Sequence, residues 1–160
     1  MPLSRRQSRR QQGGFTLIEV MIVVVIIAIL VGIGLPSYNN SITRANRADA
    51  QAALMGFAQA MERRYQQNLN YLAAAAGGSD TGAPDPTVFS STAPLDGQAF
   101  YNLTIEEANP NPPYFRLRAT PIAGGRQDGD GILEIDSLGT RGWDRDDNGT
   151  ISAAERTWQR

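Results

Sequence analysis

The residues of this chain best suited to chemistry lie near its C-terminus, in an acidic loop. The twelve residues from Asp144 to Glu155 match the pattern D-x-[DN]-x-[DN]-G-x5-E at every defined position. Calcium takes about six to eight hard oxygen ligands at flexible spacing, and this pattern supplies them in order. Thr150 would offer its backbone carbonyl, Ser152 a water-mediated contact and Glu155 two carboxylate oxygens. The predicted calcium ligands are Asp144, Asp146, Asn148, Thr150, Ser152 and Glu155.

The surroundings of this loop differ from those of a calcium sensor. A predicted strand and turn precede it where an EF-hand has a helix, and only residues 156–160 follow it. Only one complete loop is present, whereas sensor loops usually come in pairs. These features argue against a calmodulin-type sensor and leave a solvated acidic tail as the alternative. The loop could also serve as a regulatory calcium switch.

A second chemical feature is a lone carboxylate in an apolar run. From Phe15 to Leu35, only Thr16 and Glu19 are neither apolar nor glycine. About 20 such residues cross ~30 Å of hydrocarbon as a helix, and a carboxylate at the bilayer centre costs roughly 2.5–3.5 kcal/mol. Arginines precede the run and none follows before Arg44, which predicts a cytoplasmic N-terminus and an exported C-terminus.

The composition excludes several classes of site. The chain contains no cysteine and no histidine, so a disulfide framework, a thiolate nucleophile and the commonest general base are all absent. All 15 basic residues are arginines, and they oppose 16 acidic residues without the distributed basic surface that is typical of nucleic-acid binding. We therefore expect no enzymatic activity.

The apolar run continues into an amphipathic pattern. Apolar residues recur at steps of three and four, which predicts one face of a helix; they are Leu54, Phe57, Met61, Tyr65, Leu69 and Leu72. Arg47, Gln51, Glu62 and Arg63 fall largely on other faces. We expect one long helix over residues 15–77, stopped by the glycine pair at 77–78, with a kink near Pro36.

The C-terminal half has the pattern of a sheet. Residues 78–98 are rich in Gly, Pro, Ser, Thr and Asp, which predicts a surface connection. Apolar and polar residues then alternate over 100–105, 114–119 and 132–136, which predicts three antiparallel strands within a domain over residues 99–160. With the sheet packed on the helix, the fold class is α+β.

The stretch from Gly14 to Glu19 resembles the class III signal of type IV pilins and pseudopilins, in which a basic leader, glycine and phenylalanine precede a glutamate. The resemblance implies that a prepilin peptidase removes residues 1–14, cutting between Gly14 and Phe15, and methylates the new amine of Phe15. It also implies that Glu19 complements the amine of a neighbouring subunit, since two buried charges offset each other's desolvation. In pilin filaments the helix near Pro36 is stretched or partly melted; an ordinary membrane-helix kink is the alternative.

The order YNLTI, YFRLRATP and GILEIDSLGTRGW is similar to the C-terminal domain of PilE-like minor pilins. That family usually carries a disulfide here, and Asp130 and Gly142 occupy the places of its two cysteines. We therefore hypothesise that calcium at residues 144–155 substitutes for the missing disulfide.

The resemblance implies a type IV pilin fold and a structural subunit. Such a subunit is held in the bacterial inner membrane with its C-terminus in the periplasm and then assembled into an extracellular pilus for adhesion, twitching motility or DNA uptake. Its expected partners are other pilins, the prepilin peptidase and the assembly platform. One alternative is a type II secretion pseudopilin. Another is a minor pilin that binds DNA or another ligand through residues 78–98, Arg116 and Arg118.

Overall fold

The computed structural model describes residues 14–159, so the predicted leader lies outside the described residues except for Gly14. The chain forms one long helix followed by five strands: α1 (Leu17–Asn68), β1 (Thr92–Ala93), β2 (Tyr101–Pro110), β3 (Pro113–Pro121), β4 (Leu133–Asp136) and β5 (Arg141–Trp143). Short 3-10 turns lie at Ala76–Gly78 and Ala153–Glu155. The predicted α+β class is confirmed.

The helix α1 begins with a side-chain cap. The backbone N–H of Glu19 donates to Oγ1 of Thr16 at 3.3 Å, which satisfies one of the amide groups that a helix start leaves unpaired. Glu19 lies in the first turn of α1, where the helix dipole favours a negative charge. The two polar residues of the apolar run therefore sit together at the start of α1.

The chain divides into two compact units, one up to Asn39 and one from Asn40 onward. In the first unit, every large apolar side chain from Phe15 to Leu35 is exposed, from 47% at Val31 to 83% at Phe15. By length and composition, this helix is able to cross a membrane. The helical conformation continues through Pro36.

The helix is shorter than predicted. Instead of running to residue 77, α1 ends at Asn68, because Leu69 adopts a left-handed conformation with φ of 56°. The guanidinium of Arg64 then donates to the carbonyl oxygen of Leu72 at 3.2 Å and holds the chain after the turn. Leu69 is 77% exposed and Leu72 lies beyond the end of α1, so the last two members of the predicted apolar stripe do not belong to the buried face of the helix.

The five strands form one antiparallel meander in the order β1-β2-β3-β4-β5. The three predicted strands correspond to β2, β3 and β4, of which β2 and β3 are longer than predicted. The two short edge strands β1 and β5 were not predicted. β1 lies within the predicted connection over 78–98, and that connection also makes reciprocal backbone hydrogen bonds between Gly82 and Ile105.

The core lies between the second half of α1 and one face of the sheet. Leu54, Phe57 and Met61 of α1 are fully buried, as the apolar stripe predicted. The ring of Phe57 stacks on Phe89 with centroids 5.1 Å apart. The sheet contributes Tyr101, Leu103, Ile105, Phe115, Leu117, Ala119, Leu133, Ile135 and Trp143 to the same cluster.

Candidate functional site

The predicted processing and assembly residues lie at the start of the chain's described part. Gly14 and Phe15 precede α1, and both are exposed together with Glu19. Within the described residues, no arginine forms an ion pair with Glu19. Cleavage, methylation and pairing of Glu19 with an ammonium group at Phe15 remain predictions.

The acidic loop brings three of its predicted ligands together. Carboxylate oxygens of Asp144, Asp146 and Glu155 all lie within 4.8 Å of one another. Asp144 is fully buried and Glu155 is 7% exposed. Three carboxylates this close repel one another unless protons or a cation compensate them.

Backbone hydrogen bonds fix the shape of the loop. The two carboxylate oxygens of Asp144 accept the N–H groups of Asn148 at 3.2 Å and Gly149 at 2.8 Å. The carboxylate of Glu155 accepts the N–H of Arg145 at 2.8 Å and both the N–H and the hydroxyl of Ser152, at 3.1 and 2.7 Å. These hydrogen bonds hold Asp144 and Glu155, the first and last ligand positions of the loop, close to each other.

The remaining predicted ligands face other groups. The side-chain oxygen of Asn148 accepts the N–H and the hydroxyl of Thr150, at 2.8 and 2.6 Å. The hydroxyl of Ser152 donates to Glu155 at 2.7 Å. The structure thus brings Asp144, Asp146 and Glu155 to one place, while the side chains of the other three are engaged within the loop.

Burial and hydrogen bonding shift the pKa values of the two buried carboxylates in opposite directions. Burial raises the pKa of Asp144, and the neighbouring carboxyl of Asp146 adds to this effect. The Ser152 hydroxyl and the N–H groups of Arg145 and Ser152 lower the pKa of Glu155. A hard cation would stabilise the ionised form of Asp144, so this all-oxygen donor set fits calcium.

A buried polar network, which the sequence did not predict, surrounds Asp130. Its carboxylate forms an ion pair with Arg47, whose Nε donates to Oδ2 at 2.8 Å. The same Oδ2 accepts the hydroxyl of Tyr101 at 2.6 Å and the amide of Gln127 at 3.3 Å. The Trp143 ring lies 3.7 Å below the Arg47 guanidinium, and its Nε1 donates to the Asp130 carbonyl at 2.7 Å. This network ties α1 to the segment before β4.

The placement of Arg47 corrects the sequence analysis, which put it away from the buried face of the helix. Arg47 precedes buried Ala50 by three residues and buried Leu54 by seven, so it lies on the same face as Phe57 and Met61. Its side chain is only 12% exposed. The helical spacing of Arg47 from the apolar stripe was the sequence feature from which its burial could have been predicted.

The C-terminal loop is packed on the sheet beside Gly131 and Gly142. A Cβ atom added at Gly142 would lie 2.7 Å from Cδ1 of Ile151, so Ile151 fills the space beside that glycine. A Cβ at Gly131 would lie 1.6 Å from the carbonyl oxygen of Asp144. Nε1 of Trp158 donates to the carbonyl of Gly142 at 3.0 Å. Contacts of the chain itself therefore hold this loop on β4 and β5.

The two arginines predicted as candidate ligand contacts are paired with acidic residues. Arg116 lies 3.3 Å from Glu107, and Arg118 lies 3.1 Å from Glu106 and 2.7 Å from Glu134. Their charges are largely neutralised on the sheet surface, as expected of a solvated strand face.

The helix α1 has an exposed apolar N-terminal half with a single glutamate, and its second half packs against an antiparallel meander. This arrangement defines the class of type IV pilins. A family profile described as type IV minor pilin ComP, DNA uptake sequence receptor, matches residues 36–131. The profile of the prokaryotic N-terminal methylation motif matches residues 9–35. The chain belongs to the type IV minor pilin family. Pilins are structural subunits, which confirms the prediction that the chain is not an enzyme.

The curated relatives to which this chain is similar have fimbrial or prepilin names. A fimbrial protein of Moraxella nonliquefaciens is 35% identical over 100 residues, which are 62% of this chain and 58% of the relative. Prepilin peptidase-dependent protein D of Escherichia coli strain K12 is 40% identical over 77 residues, 48% of this chain and 51% of the relative. Type IV major fimbrial protein FimA of Dichelobacter nodosus is 43% identical over 58 residues, 36% of this chain and 34% of the relative.

The matched part of the chain spans 58% or less of each of these relatives. Among solved structures, the non-core minor pilin PilV of Neisseria meningitidis is similar with a TM-score of 0.48 and 19% identity, over 71% of this chain and 96% of that chain.

Proposed function

We propose that this chain is a structural subunit of a type IV pilus. It is made with a basic leader in the inner membrane, with its C-terminal domain in the periplasm. A prepilin peptidase removes residues 1–14 and methylates Phe15, and the assembly platform then adds the chain to a filament of pilins. The observation that carries this proposal is the exposed apolar helix from Leu17 to Leu35 with its single carboxylate, Glu19.

The apolar helix serves two purposes in this mechanism. Before assembly, its exposed side chains bury themselves in the hydrocarbon of the membrane. In the filament, the same side chains pack against those of other subunits. Burial of an unpaired Glu19 would be costly, so a subunit is stable only where this carboxylate finds the ammonium group that cleavage creates at Phe15 of a neighbour. Glu19 thereby sets the register of assembly.

The test compares Glu19→Gln with Glu62→Gln, which changes an exposed glutamate further along the same helix. Glu19→Gln should abolish or strongly reduce filaments sheared from the cell surface, while the processed subunit still accumulates in the membrane. Glu62→Gln should give normal filaments. A normal filament yield from Glu19→Gln would refute the pairing mechanism.

We also propose that residues 144–155 bind calcium. Support comes from the complete ligand pattern in the sequence and from the convergence of Asp144, Asp146 and Glu155. A ligand that binds only the folded state stabilises it by RT ln(1 + [L]/Kd), which is about 2.7 kcal/mol at a hundredfold excess over Kd. Calcium would thus strengthen a loop that lacks the family's disulfide.

The calcium proposal is tested by thermal melting of a fragment that begins at Asn40, once with calcium and once with chelator. Calcium should raise the melting midpoint of the wild type and of Asp147→Asn, because Asp147 holds none of the ligand positions. It should have no effect on Asp144→Asn, which changes the first ligand position, where the pattern allows only aspartate. Equal midpoints of the wild type under both conditions would refute the proposal.

A second candidate function is DNA binding during uptake, favoured by the description of the family profile that matches residues 36–131. Because Arg116 and Arg118 are paired, the better candidates are Arg141 and Arg156, which line a cleft of about 290 Å³ beside the C-terminal loop. Arg141→Gln combined with Arg156→Gln should weaken the retardation of duplex DNA in gels. Absence of retardation by the wild type at low salt would exclude this function.

A further inference from the structure

Two exposed leucines of the unit from Asn40 onward lie far apart on the sheet. Leu138 is 81% exposed in the turn between β4 and β5, and Leu95 is 56% exposed in the connection between β1 and β2. The order β1-β2-β3-β4-β5 separates β1 from β5 by four strand spacings, roughly 19 Å. In an antiparallel meander these two connections also lie at opposite ends of the strands. The two leucines therefore belong to different sides of the same unit.

The turn that carries Leu138 is held in one conformation. Oδ1 of Asp136 accepts the N–H groups of Leu138 at 2.9 Å and of Thr140 at 2.8 Å. Gly139 supplies the positive φ of 80° that the turn requires. Tight turns usually carry polar residues, whereas this one presents a large apolar side chain to solvent. Because the turn is already ordered, burying Leu138 against a partner costs little conformational entropy.

The connection that carries Leu95 borders a groove along α1. The groove has a volume of about 360 Å³, which is ample room for a leucine side chain. The floor of the groove is closely packed, because Phe89 stacks on Phe57 and a Cβ at Gly56 would lie only 3.3 Å from the Phe89 ring. Its principal lining residues are Asp49, Gly56, Phe89, Pro94, Leu95 and Asp96.

The charges beside the two leucines are complementary. Asp49 and Asp96 are exposed at the groove, and neither forms an ion pair in the described part of the chain. Arg141 follows the Leu138 turn and is also exposed; its guanidinium lies 5.0 Å over the Trp158 ring and pairs with no carboxylate of residues 14–159. Opposite charges at the two surfaces favour one orientation of contact between them.

We infer that the Leu138 turn of one copy seats in the Leu95 groove of a second copy, with Arg141 opposite Asp49 and Asp96. The two surfaces are different patches of the same chain, so the contact is heterologous and leaves a free turn and a free groove at the ends of every assembly. Repetition of such a contact builds an open filament. This inference rests on the proposed function as a filament subunit and names the contact between the outer domains.

The absence of cysteine from the chain allows a direct test by disulfide trapping. Leu95→Cys and Leu138→Cys are introduced together into the full chain, assembled filaments are sheared and oxidised, and the products are separated without reductant. The double variant should give a ladder of dimers, trimers and longer products. The control pair Leu69→Cys with Leu95→Cys uses a leucine that is 77% exposed and should give no ladder. Each single-cysteine variant should remain monomeric.

Charge reversal tests the orientation of the contact. Arg141→Asp, added to the trapping variant, should lower the ladder yield by about tenfold, and a further Asp96→Arg should restore it. Filaments of processed subunits without a ladder would overturn this inference and leave the proposed function standing. Dimers from Leu138→Cys alone would overturn the heterologous contact. Absence of filaments with the leader retained would refute both proposals.

Discussion

Replacing Asp130 with asparagine breaks the buried ion pair with Arg47 while keeping the size of the side chain. The two side chains are 5% and 12% exposed, and removing one partner of a buried pair costs about 3–5 kcal/mol because the other charge stays buried. The Arg47 guanidinium keeps its contact with the Trp143 ring at 3.7 Å, which places the expected loss near the lower limit, about 3 kcal/mol.

The assay is thermal melting of a fragment that begins at Asn40, the start of the second compact unit. For a domain of this size, about 1 kcal/mol shifts the midpoint by roughly 4 °C, so Asp130→Asn should lower it by about 12 °C. The matched control is Glu107→Gln, which removes an ion pair with Arg116 whose side chains are 37% and 41% exposed. Such exposed pairs contribute about 1 kcal/mol or less.

A double-mutant cycle makes the test specific. Arg47→Met should destabilise the fragment as Asp130→Asn does, and the combined variant should lose much less than the sum of the two single losses. A loss below about 1 kcal/mol for Asp130→Asn, or strict additivity in the cycle, would refute the conclusion that this pair holds α1 to the segment before β4.

Three further predictions concern the same domain. Gly131→Ala should be much more destabilising than Gly139→Ala, because both glycines have positive φ but only at Gly131 would the Cβ meet the Asp144 carbonyl; equal melting midpoints would contradict this. In chelator, Asp146→Asn should leave the stability within about 1 kcal/mol of the wild type or raise it, because Asp146 is exposed and its carboxyl adds to the raised pKa of Asp144; a large loss of stability would contradict the repulsion between these carboxylates. Between neutral pH and about pH 10 the free energy of unfolding should hold level, and above that pH it should fall. Burial raises the pKa of Tyr71 to about 12 and raises that of Tyr101 too, so only the unfolded chain ionises there; a level profile to pH 12 in alkaline titration would contradict this.

Periodicity predicted the parts of the fold that bury a regular apolar face. The stripe of Leu54, Phe57 and Met61 is buried, and the three strands with clear alternation became β2, β3 and β4. The helix end was wrong because the left-handed turn falls on Leu69, which is not a residue that usually adopts it. Local signals marked the glycine pair at 77–78, whereas contacts of the folded chain stop the helix nine residues earlier.

The convergence of Asp144, Asp146 and Glu155 could be predicted because these residues lie close together in the sequence. The Asp130 network could not be predicted in the same way, since it joins separate elements of the fold, as for Arg47 of α1 and Asp130, which are 83 positions apart. The edge strands β1 and β5 have two and three residues, too few for a pattern of alternation. Their pairing depends on neighbouring strands that are already in place.

We propose above all that trimming of the leader creates the positive end with which Glu19 pairs in a filament. The most direct measurement is the intact mass of this subunit in filaments sheared from the surface of its own host. We expect a chain that begins at methylated Phe15, with residues 1–14 removed. A filament subunit that retains those residues, or a surface fraction from which the chain is absent, would contradict it.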